Sequence, residues 1–224
     1  RDDEIAYWEP GAGFLLPEAC IQAQLELAVR LGAVLHMEEK VRAFHQDGRK
    51  VVVQTDRAEY SADTLIVTAG PWLPALLESE YAQQFTVTRQ VLYWFDPQDT
   101  IAPFLPERFP VFIWEPPGAN QALYGFPAID GPQGGVKVAP SRYGSPTTPE
   151  TIERAVNAEE IATMYDNLVA PFLPGLSNRC VKAITCLYTV TPDAAFVIDR
   201  LPESSQVIIA SPCSGHGFKH SAAI

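Results

Sequence analysis

The first hydrophobic segment of the chain, residues 17–31, repeats its apolar side chains at the spacing of an α-helix. Pro17 suits a first helical position, and Gly32 suits the residue just beyond a helix end. The pattern therefore predicts one helix between them. The apolar residues that follow, 33–37, predict a strand.

Two alternating segments, 41–46 and 50–54, flank Asp47-Gly48, a pair that is typical of a tight β-hairpin. The continuous apolar run 64–69 is typical of a parallel strand that is buried on both faces. A short helix is predicted after it, at 73–77.

From about residue 85 the chain changes to aromatic strands, separated by loops that hold many of its 20 prolines. These strands predict an antiparallel sheet. They lie at 87–95, 111–114, 122–126 and 135–139, and another strand is predicted later, at 180–188. A helix start is predicted at 148–152 and a helix at 158–170. Short apolar strands return at 196–199 and 207–210.

The order of elements is α/β, then mostly β, then α/β again. It predicts an α/β (α+β) fold in which one domain is inserted into another. The predicted α/β domain consists of residues 1–82 and 191–224. A mixed, mainly antiparallel β domain lies between these segments, at 83–190.

Composition narrows the classes of function. The 224 residues carry a net charge of −11 and 47% hydrophobic residues, which fits an acidic enzyme with a core and argues against nucleic-acid binding. No apolar run approaches the roughly 18 residues that span a bilayer, so no membrane association is predicted and the cytoplasm is the expected location. None of the four cysteines forms a C-x-x-C pair, so the sequence predicts neither a metal site nor disulfides.

The most informative segment is 211–220, which follows the apolar strand 207–210 and contains Gly215 and Gly217. Glycines let a backbone approach a ligand closely, and the first N–H groups of a following helix point at negative charge. A strand, turn and helix of this kind predict a ligand site. Because the sequence ends at Ile224, just after the turn, we expect the chain to be a piece of a larger protein.

Several common catalytic motifs do not occur. There is no G-x-G-x-x-G after a strand, no G-K-[ST] loop, no H-E-x-x-H and no G-x-S-x-G. Ser214 and His216 are close in sequence, but no acidic residue nearby would orient the histidine. Hydrolase chemistry is therefore not favoured.

Three segments near the C-terminus carry a recognisable pattern. They are Cys186-Leu-Tyr-Thr-Val-Thr-Pro-Asp193, Phe196-Val-Ile-Asp199 and Ser214-Gly-His-Gly-Phe-Lys219. Together they resemble the flavin amine oxidases of the monomeric sarcosine oxidase and N-methyltryptophan oxidase family, in the D-amino-acid-oxidase-like superfamily. Further segments fall in the family's order, at Tyr7–Phe14, Ala62–Trp72, Arg89–Val91, Tyr124–Pro127 and Val136–Val138.

The resemblance covers essentially the whole chain. It implies that 1–82 and 191–224 form a partial FAD-binding, Rossmann-like domain, and that 83–190 is the substrate domain. The family's N-terminal dinucleotide-binding unit and its C-terminal helix and tail do not occur in the sequence.

The resemblance implies FAD as the cofactor, bonded through the sulfur of Cys186. Without the resemblance, the sequence alone predicts that Cys186 is a strand cysteine that packs in the core. Lys137 would lie against the flavin, where a positive charge promotes the reaction of reduced flavin with oxygen. A lysine between two valines otherwise points to water. Relatives that oxidise sarcosine have a histidine four residues later, where this chain has Ser141.

Other site residues are implied in the same way. Lys219 would face the substrate carboxylate and the pyrimidine side of the flavin; its alternative role is a solvated helix lysine. Tyr124 and Tyr188 would form the pocket wall, and each is also a core candidate. The implied cofactor contacts are Val41, Gly70, Trp72, Ser214, Gly215, His216, Gly217, Phe218 and Lys219. His216 is expected to pack or to cap the turn rather than to transfer protons.

Three hypotheses of function remain. In the first, the intact protein oxidises a secondary or N-methyl α-amino acid to an imine and produces hydrogen peroxide from oxygen. In the second, the chain as given is inactive and holds no FAD. In the third, the intact protein is a dehydrogenase of the same superfamily with another electron acceptor, although Lys137 argues against this. We expect the intact protein to be monomeric and the piece to self-associate through exposed apolar edges.

Overall fold

The computed structural model describes residues 4–77, 80–119 and 121–224, and the chain forms two compact units. The first unit contains Leu92–Arg142, Asn157–Ala183 and the described residues of Arg1–Leu16. The second unit contains Pro17–Val91, Tyr143–Val156 and Ile184–Ile224.

Both units contain helices and strands. Within the described residues the helices are α1 (Pro17–Arg30), α2 (Leu73–Leu76) and α3 (Ala158–Met164). The strands are β1 (Val41–Asp47), β2 (Lys50–Thr55), β3 (Glu59–Ala62), β4 (Leu65–Val67), β5 (Thr86–Pro97), β6 (Phe112–Trp114), β7 (Leu123–Phe126), β8 (Val136–Pro140), β9 (Leu176–Val190), β10 (Val197–Leu201) and β11 (Ser204–Ser211). Short 3₁₀ turns occupy Gly70–Trp72, Glu80–Gln84, Ala102–Phe104 and Phe218–His220, and a π-helical turn occupies Tyr165–Val169.

Helix α1 confirms the helix predicted at 17–31. Beyond its end, Gly32 has φ 95° and the N–H of Ala33 donates to the carbonyl of Ala28. This is a Schellman arrangement, in which the residues after a helix satisfy its last carbonyls. The strand predicted at 33–37 is therefore wrong: its first N–H caps the helix, and its residues belong to none of the described sheets.

The predicted hairpin is confirmed, because β1 and β2 pair antiparallel with Asp47 opposite Lys50. Gly48 has φ 58°, the left-handed conformation that tight hairpin turns need. Strand β3 pairs with the other edge of β2, which gives the order β1-β2-β3.

A second three-stranded sheet has the order β10-β11-β4, with β4 parallel to β11. The parallel pairing confirms the predicted type of strand. The predicted burial on both faces is wrong, because Ile66 is 60% exposed although Val67 is buried. Residues of both three-stranded sheets and of the α2 region form the core of this unit: Val51, Val67, Leu73, Leu77, Phe85, Val207 and Ile209.

The aromatic strands form a five-stranded sheet of order β6-β7-β8-β5-β9. The pairs β6–β7, β7–β8 and β8–β5 are antiparallel, which confirms the predicted sheet. Phe95, Leu123 and Val138 are fully buried in the first unit. The chain passes from one unit to the other within β5, after Val91, and within β9, after Ala183.

The helix predicted at 158–170 is confirmed as α3 followed by the π-helical turn. Asn157 and Glu160 form a capping box at its start, in which each side chain accepts the backbone N–H of the other residue.

The helix start predicted at 148–152 is wrong. The carbonyl of Thr148 accepts from the N–H groups of Thr151 and Ile152, so a single turn forms. Arg89 then donates to the carbonyls of Glu153 and Ala155, which a continuing helix would use for its own hydrogen bonds.

Candidate active site

Two turns meet in the second unit, at the carboxyl ends of β9 and β11. The Thr191 hydroxyl lies 2.9 Å from the carbonyl oxygen of Ala195, 3.1 Å from Asp193 Oδ1 and 3.4 Å from the Ser214 hydroxyl. Asp193 Oδ1 also accepts the N–H of Ala195 at 3.0 Å. The pKa of Asp193 is lowered, because the Ala195 N–H and then the Thr191 hydroxyl stabilise the carboxylate.

Ser214 is buried and has φ 50°, a left-handed conformation that is uncommon outside glycine. Its N–H donates to the Thr189 carbonyl at 2.8 Å, and its carbonyl accepts from the Tyr143 hydroxyl at 3.0 Å. Ala194, in the other turn, has φ 58°. Strain of this kind costs about 1–3 kcal/mol per residue and persists where the surroundings enforce it, often at functional sites.

The two glycines of the second turn are required by packing inside the protein. A Cβ at Gly215, where φ is 79°, would lie 2.6 Å from the ring of Tyr188. A Cβ at Gly217 would lie 1.4 Å from the carbonyl oxygen of Pro212. The sequence argument expected these glycines to admit a ligand; the described contacts show that they admit an aromatic ring and a carbonyl of the chain itself.

His216 joins the two turns. Its Nε2 lies 3.0 Å from the carbonyl oxygen of Ala194, and its ring stacks on Phe196. A carbonyl can only accept, so this contact requires the proton on Nε2. These contacts support the packing role that the sequence favoured for His216.

Lys219 is exposed in the 3₁₀ turn Phe218–His220. Ser221, just after this turn, accepts from Gln24 of α1 at 3.3 Å. Several N–H groups here have no acceptor among the described protein groups, namely those of Gly215, Gly217, Phe218 and Lys219. The segment therefore presents one cation and several hydrogen-bond donors within a few residues.

Cys186 and Tyr188 are half-buried and lie two residues apart in β9, so their side chains point to the same side of the strand. No disulfide joins the four cysteines. On the same strand, the Cys180 thiol donates to the carbonyl of Lys182 at 3.1 Å. Burial raises the pKa of Cys180, which disfavours its thiolate.

Lys137 lies among aromatic rings in the first unit. Its Nζ is 4.7 Å from the ring centroid of Phe126 and 5.4 Å from that of Trp94. The register explains this, because Lys137 is directly opposite Phe126 on β7 and Trp94 on β5. Each cation–π contact of this kind stabilises by about 0.5–2 kcal/mol. Lys137 is half-buried and does not simply point to water.

Tyr124 is half-buried on β7, on the same side of the strand as Phe126. The two ring centroids are 6.3 Å apart in an edge-to-face arrangement. Tyr124 therefore belongs to the same aromatic group that holds Lys137.

The remaining predicted contacts lie on other elements of the second unit. Val41 begins β1, and Gly70 has φ 52° with open space where a Cβ would be. Trp72, at the end of the same 3₁₀ turn, is 46% exposed. No described hydrogen bond or ring contact joins these residues to the turn at 214–219.

The predicted site residues divide between the two units. The second unit contains all the predicted cofactor contacts together with Tyr188, and the first contains Lys137 and Tyr124. Sequence reasoning missed Tyr143 and Thr191, which hold the strained turn, as site residues. Thr191 lies inside a motif that carried the resemblance, whereas nothing local marks Tyr143.

Sequence reasoning also missed Trp94 and Lys182 as site residues. The Nζ of Lys182 is 4.6 Å from the ring centroid of Trp94. The available signal was strand alternation, because Lys182 stands four residues before Cys186 on β9.

Two negative findings hold for the described residues. They contain no group of three His, Cys, Asp or Glu side chains placed to hold a metal ion. None of the helices described is long and apolar enough to cross a bilayer.

Comparison with known families gives one match over nearly the full length: the model of the family described as DAO, FAD dependent oxidoreductase, matches residues 2–224. A monomeric sarcosine oxidase of Streptomyces avermitilis is 43% identical over 219 residues, which cover 97% of this chain and 56% of that protein. An N-methyl-L-tryptophan oxidase of Yersinia pestis is 31% identical over 229 residues, which cover 100% of this chain and 58% of that protein. The chain thus spans little more than half the length of these relatives.

Solved structures share the fold at low sequence identity. An L-proline dehydrogenase from P. horikoshii has a TM-score of 0.72 at 17% identity, covering 92% of this chain and 52% of that protein. The fructosyl amine:oxygen oxidoreductase Amadoriase I from Aspergillus fumigatus has a TM-score of 0.69 at 21% identity. The match covers 93% of this chain and 49% of that protein. At such identities the likeness concerns the fold.

Proposed function

Because the chain belongs to the DAO family of FAD-dependent oxidoreductases, we propose that it supplies part of the flavin site and the substrate domain of an amine oxidase. The observation that carries the proposal is the junction of the two C-terminal turns. Asp193, Thr191 and His216 fix the strained segment at 214–219 against the end of the strand that bears Cys186.

The groups of the second unit fit a flavin in chemistry. The N–H groups of the 214–219 segment have no protein acceptor among those described, and the flavin pyrimidine edge is rich in acceptors. Ser211 Oγ, just before this turn, is buried and has no described partner. Trp72 adds an exposed indole, a surface on which a planar ring can stack.

In this proposal Cys186 holds the cofactor through its sulfur, and Val41, Gly70 and Trp72 contact it. Gly215, Gly217 and Phe218 contribute backbone groups, and Lys219 contributes a positive charge that stabilises negative charge nearby. Bound FAD supplies the acceptor for a hydride from the carbon next to the substrate nitrogen.

Lys137 is proposed to promote the reaction with oxygen. The reduction of oxygen passes through an anionic state, and a fixed cation stabilises developing negative charge where water is largely excluded. Its position against two aromatic rings supports the proposal, because these contacts fix the ammonium group in a half-buried part of the sheet.

The substrate is proposed to be a secondary or N-methyl α-amino acid, with Tyr124 and Tyr188 in the pocket wall. Two of the relatives are named for such amines, sarcosine and N-methyl-L-tryptophan. Ser141 replaces the histidine that the resemblance expected in a sarcosine oxidase. It is exposed, and its N–H donates to the carbonyl of Ala122 at 2.9 Å. Sarcosine itself is therefore not favoured as the substrate, and a larger or different amine stays open.

A second proposal is that the chain by itself holds no FAD and is inactive. It is supported by the length of the match, since the chain spans only 56% of the Streptomyces relative. The domain limits 1–82, 83–190 and 191–224, the monomeric state of the intact protein and its cytoplasmic location stay predictions.

One experiment separates the two proposals. The purified chain is denatured with acid, and flavin absorbance is measured in the pellet and in the supernatant. Flavin in the pellet means covalent attachment and overturns the inactive reading. A colourless protein supports the inactive reading. The measurement is then repeated with a longer protein, in which the chain is joined to the segments that its relatives have beyond the matched part. A joined protein with no flavin and no amine-dependent peroxide would overturn the amine oxidase proposal.

Peroxide also decides the choice of electron acceptor. Amine-dependent reduction of a dye without peroxide would indicate a dehydrogenase.

A further inference from the structure

The peptide group between Ser214 and Gly215 forms the middle of a tight turn. The N–H of His216 donates to the carbonyl of Cys213 at 3.2 Å and closes this turn. Both middle residues have positive φ, 50° at Ser214 and 79° at Gly215, which is typical of a type I′ turn. The orientation of the middle peptide group determines where its carbonyl and its N–H point.

The two polar groups of this peptide have different surroundings. The carbonyl, on Ser214, accepts from the Tyr143 hydroxyl at 3.0 Å. The N–H, on Gly215, has no acceptor among the described protein groups. Because a trans peptide group is planar, this N–H points in the direction opposite to the carbonyl and therefore away from Tyr143. Gly215 is exposed, so its N–H is available to a ligand.

The plane of this peptide group is restrained at its carbonyl end. A rotation of the plane changes ψ of Ser214 and φ of Gly215, and a glycine resists such a rotation little because it has no Cβ. The preceding peptide group is already fixed, since the N–H of Ser214 donates to the Thr189 carbonyl at 2.8 Å. Among the described hydrogen bonds, the one from Tyr143 is the bond that acts on the plane itself.

The backbone next to Tyr143 is held against strand β5. The N–H of Arg89 donates to the carbonyl of Ser145 at 2.9 Å. A Cβ at Gly144 would lie 1.6 Å from the carbonyl oxygen of Arg89, so this segment lies directly on the strand. All of these residues belong to the second unit. The hydroxyl of Tyr143 therefore reaches the turn from a fixed backbone.

We propose that Tyr143 is a positioning residue for the N–H of Gly215, which donates to the acceptors on the pyrimidine edge of the flavin. The hydroxyl fixes the direction of this N–H. By donating to the carbonyl of the same peptide group, it also polarises the group and strengthens the N–H as a donor. Both effects stabilise negative charge on the flavin. The inference rests on the proposed function and adds a residue that does not need to touch flavin or substrate.

The first arm of the test uses the chain without flavin. Serine labelled with ¹³C at the carbonyl and glycine labelled with ¹⁵N are incorporated together. Only one NMR signal then correlates the two labels, because Ser214-Gly215 is the only Ser-Gly pair in the sequence. The ¹⁵N order parameter of this signal should be about 0.85 in the wild type and should fall below about 0.6 in Tyr143→Phe.

Tyr60→Phe is the matched control. It removes a hydroxyl group that donates to Glu39 at 2.8 Å in the same unit, so it also loses one hydrogen bond of a tyrosine side chain. The order parameter of Gly215 should stay at the wild-type value in this variant.

The second arm uses the longer, flavin-loaded protein with sulfite as the probe. The sulfur lone pair of sulfite forms a bond to N5 of the oxidised flavin, and the displaced electron pair leaves negative charge on the pyrimidine ring. An aligned N–H donor stabilises that charge. Tyr143→Phe should therefore raise the dissociation constant of sulfite about tenfold, and Tyr60→Phe should leave it unchanged.

The outcomes separate the positioning role from the proposed function. A wild-type order parameter in Tyr143→Phe would overturn the inference. A lowered order parameter with unchanged sulfite binding would overturn it as well, because the N–H would then not serve the flavin. Equal effects in Tyr60→Phe would also overturn it, since a general loss of stability would be the cause. If the longer wild-type protein binds no flavin, the proposed function fails, whereas the first arm still decides whether Tyr143 fixes the peptide group.

Discussion

The imidazole of His216 lies nearly parallel to the ring of Phe196, with the centroids 4.7 Å apart and the planes at 25°. The Nε2 of the same imidazole lies 3.0 Å from the carbonyl oxygen of Ala194. The ring stacking and the hydrogen bond both connect the turn after β11 to the turn after β9. His216 is therefore part of the support of the candidate site, and its ring nitrogen is occupied by a structural contact.

Replacing His216 tests this role. His216→Ala removes both the stacking and the hydrogen bond, so we expect unfolding in urea to be easier by about 1–3 kcal/mol. His216→Phe keeps an aromatic ring and should recover part of the loss. A wild-type urea midpoint in His216→Ala would show that the two turns hold together without it.

Tyr143→Phe removes the hydroxyl group that donates to the Ser214 carbonyl at 3.0 Å. Because Ser214 is buried, its carbonyl loses a partner that water cannot easily replace, and we expect a loss of about 1–2 kcal/mol in the free energy of unfolding. Tyr7→Phe is the matched control, since the Tyr7 side chain is exposed. Equal effects of the two variants would contradict the assigned contact.

The carboxylate of Asp193 should make the free energy of unfolding depend on pH. Its folded pKa is lowered, so the contribution to stability is present above the unfolded pKa of about 3.9 and is lost as the pH falls through the folded value. Asp193→Asn keeps an oxygen acceptor but cannot titrate. The free energy of unfolding of this variant should fall less steeply below about pH 4 than that of the wild type. Asp99→Asn, at another exposed carboxylate, controls for net charge; a wild-type slope in Asp193→Asn would argue against the linkage.

Much of the scaffold could be predicted because it depends on local pattern. The hairpin at β1 and β2 follows from Asp47-Gly48, and α1 follows from its apolar spacing between Pro17 and Gly32. The strand predicted at 33–37 failed because hydrophobicity alone cannot say whether a segment will find a neighbour to pair with. The residues after α1 instead satisfy the helix end.

The candidate site was only partly predictable, for a similar reason. The motifs around Cys186 and Ser214 are contiguous in sequence, so a resemblance could find them. The partners Tyr143 and Trp94 are distant in sequence from the residues they hold, and the packing of strands brings them there. A single sequence contains no signal for such contacts.

Gly215 and Gly70 offer a comparison of two glycines with positive φ. A Cβ at Gly215 would meet the Tyr188 ring at 2.6 Å, whereas a Cβ at Gly70 would meet open space. Gly70→Ala should therefore cost only the left-handed backbone, about 1–2 kcal/mol. Gly215→Ala should cost clearly more in the free energy of unfolding, and Tyr188→Ala in the same chain should relieve the excess. Equal losses of stability in the two glycine variants would mean that the Tyr188 ring moves aside without cost.

The final prediction concerns the thiol that the flavin proposal requires. Cys186 and Cys180 are both half-buried on β9, but only Cys186 lies in the second unit, two residues from Tyr188, whose ring packs on Gly215 of the turn. In flavin-loaded protein, Cys186→Ser should move all flavin absorbance from the acid pellet to the supernatant. Cys180→Ser should leave it in the pellet, because burial already disfavours the thiolate there. If flavin stays in the pellet of Cys186→Ser, the cofactor is attached to another residue. Its proposed orientation over the turn would then be wrong as well.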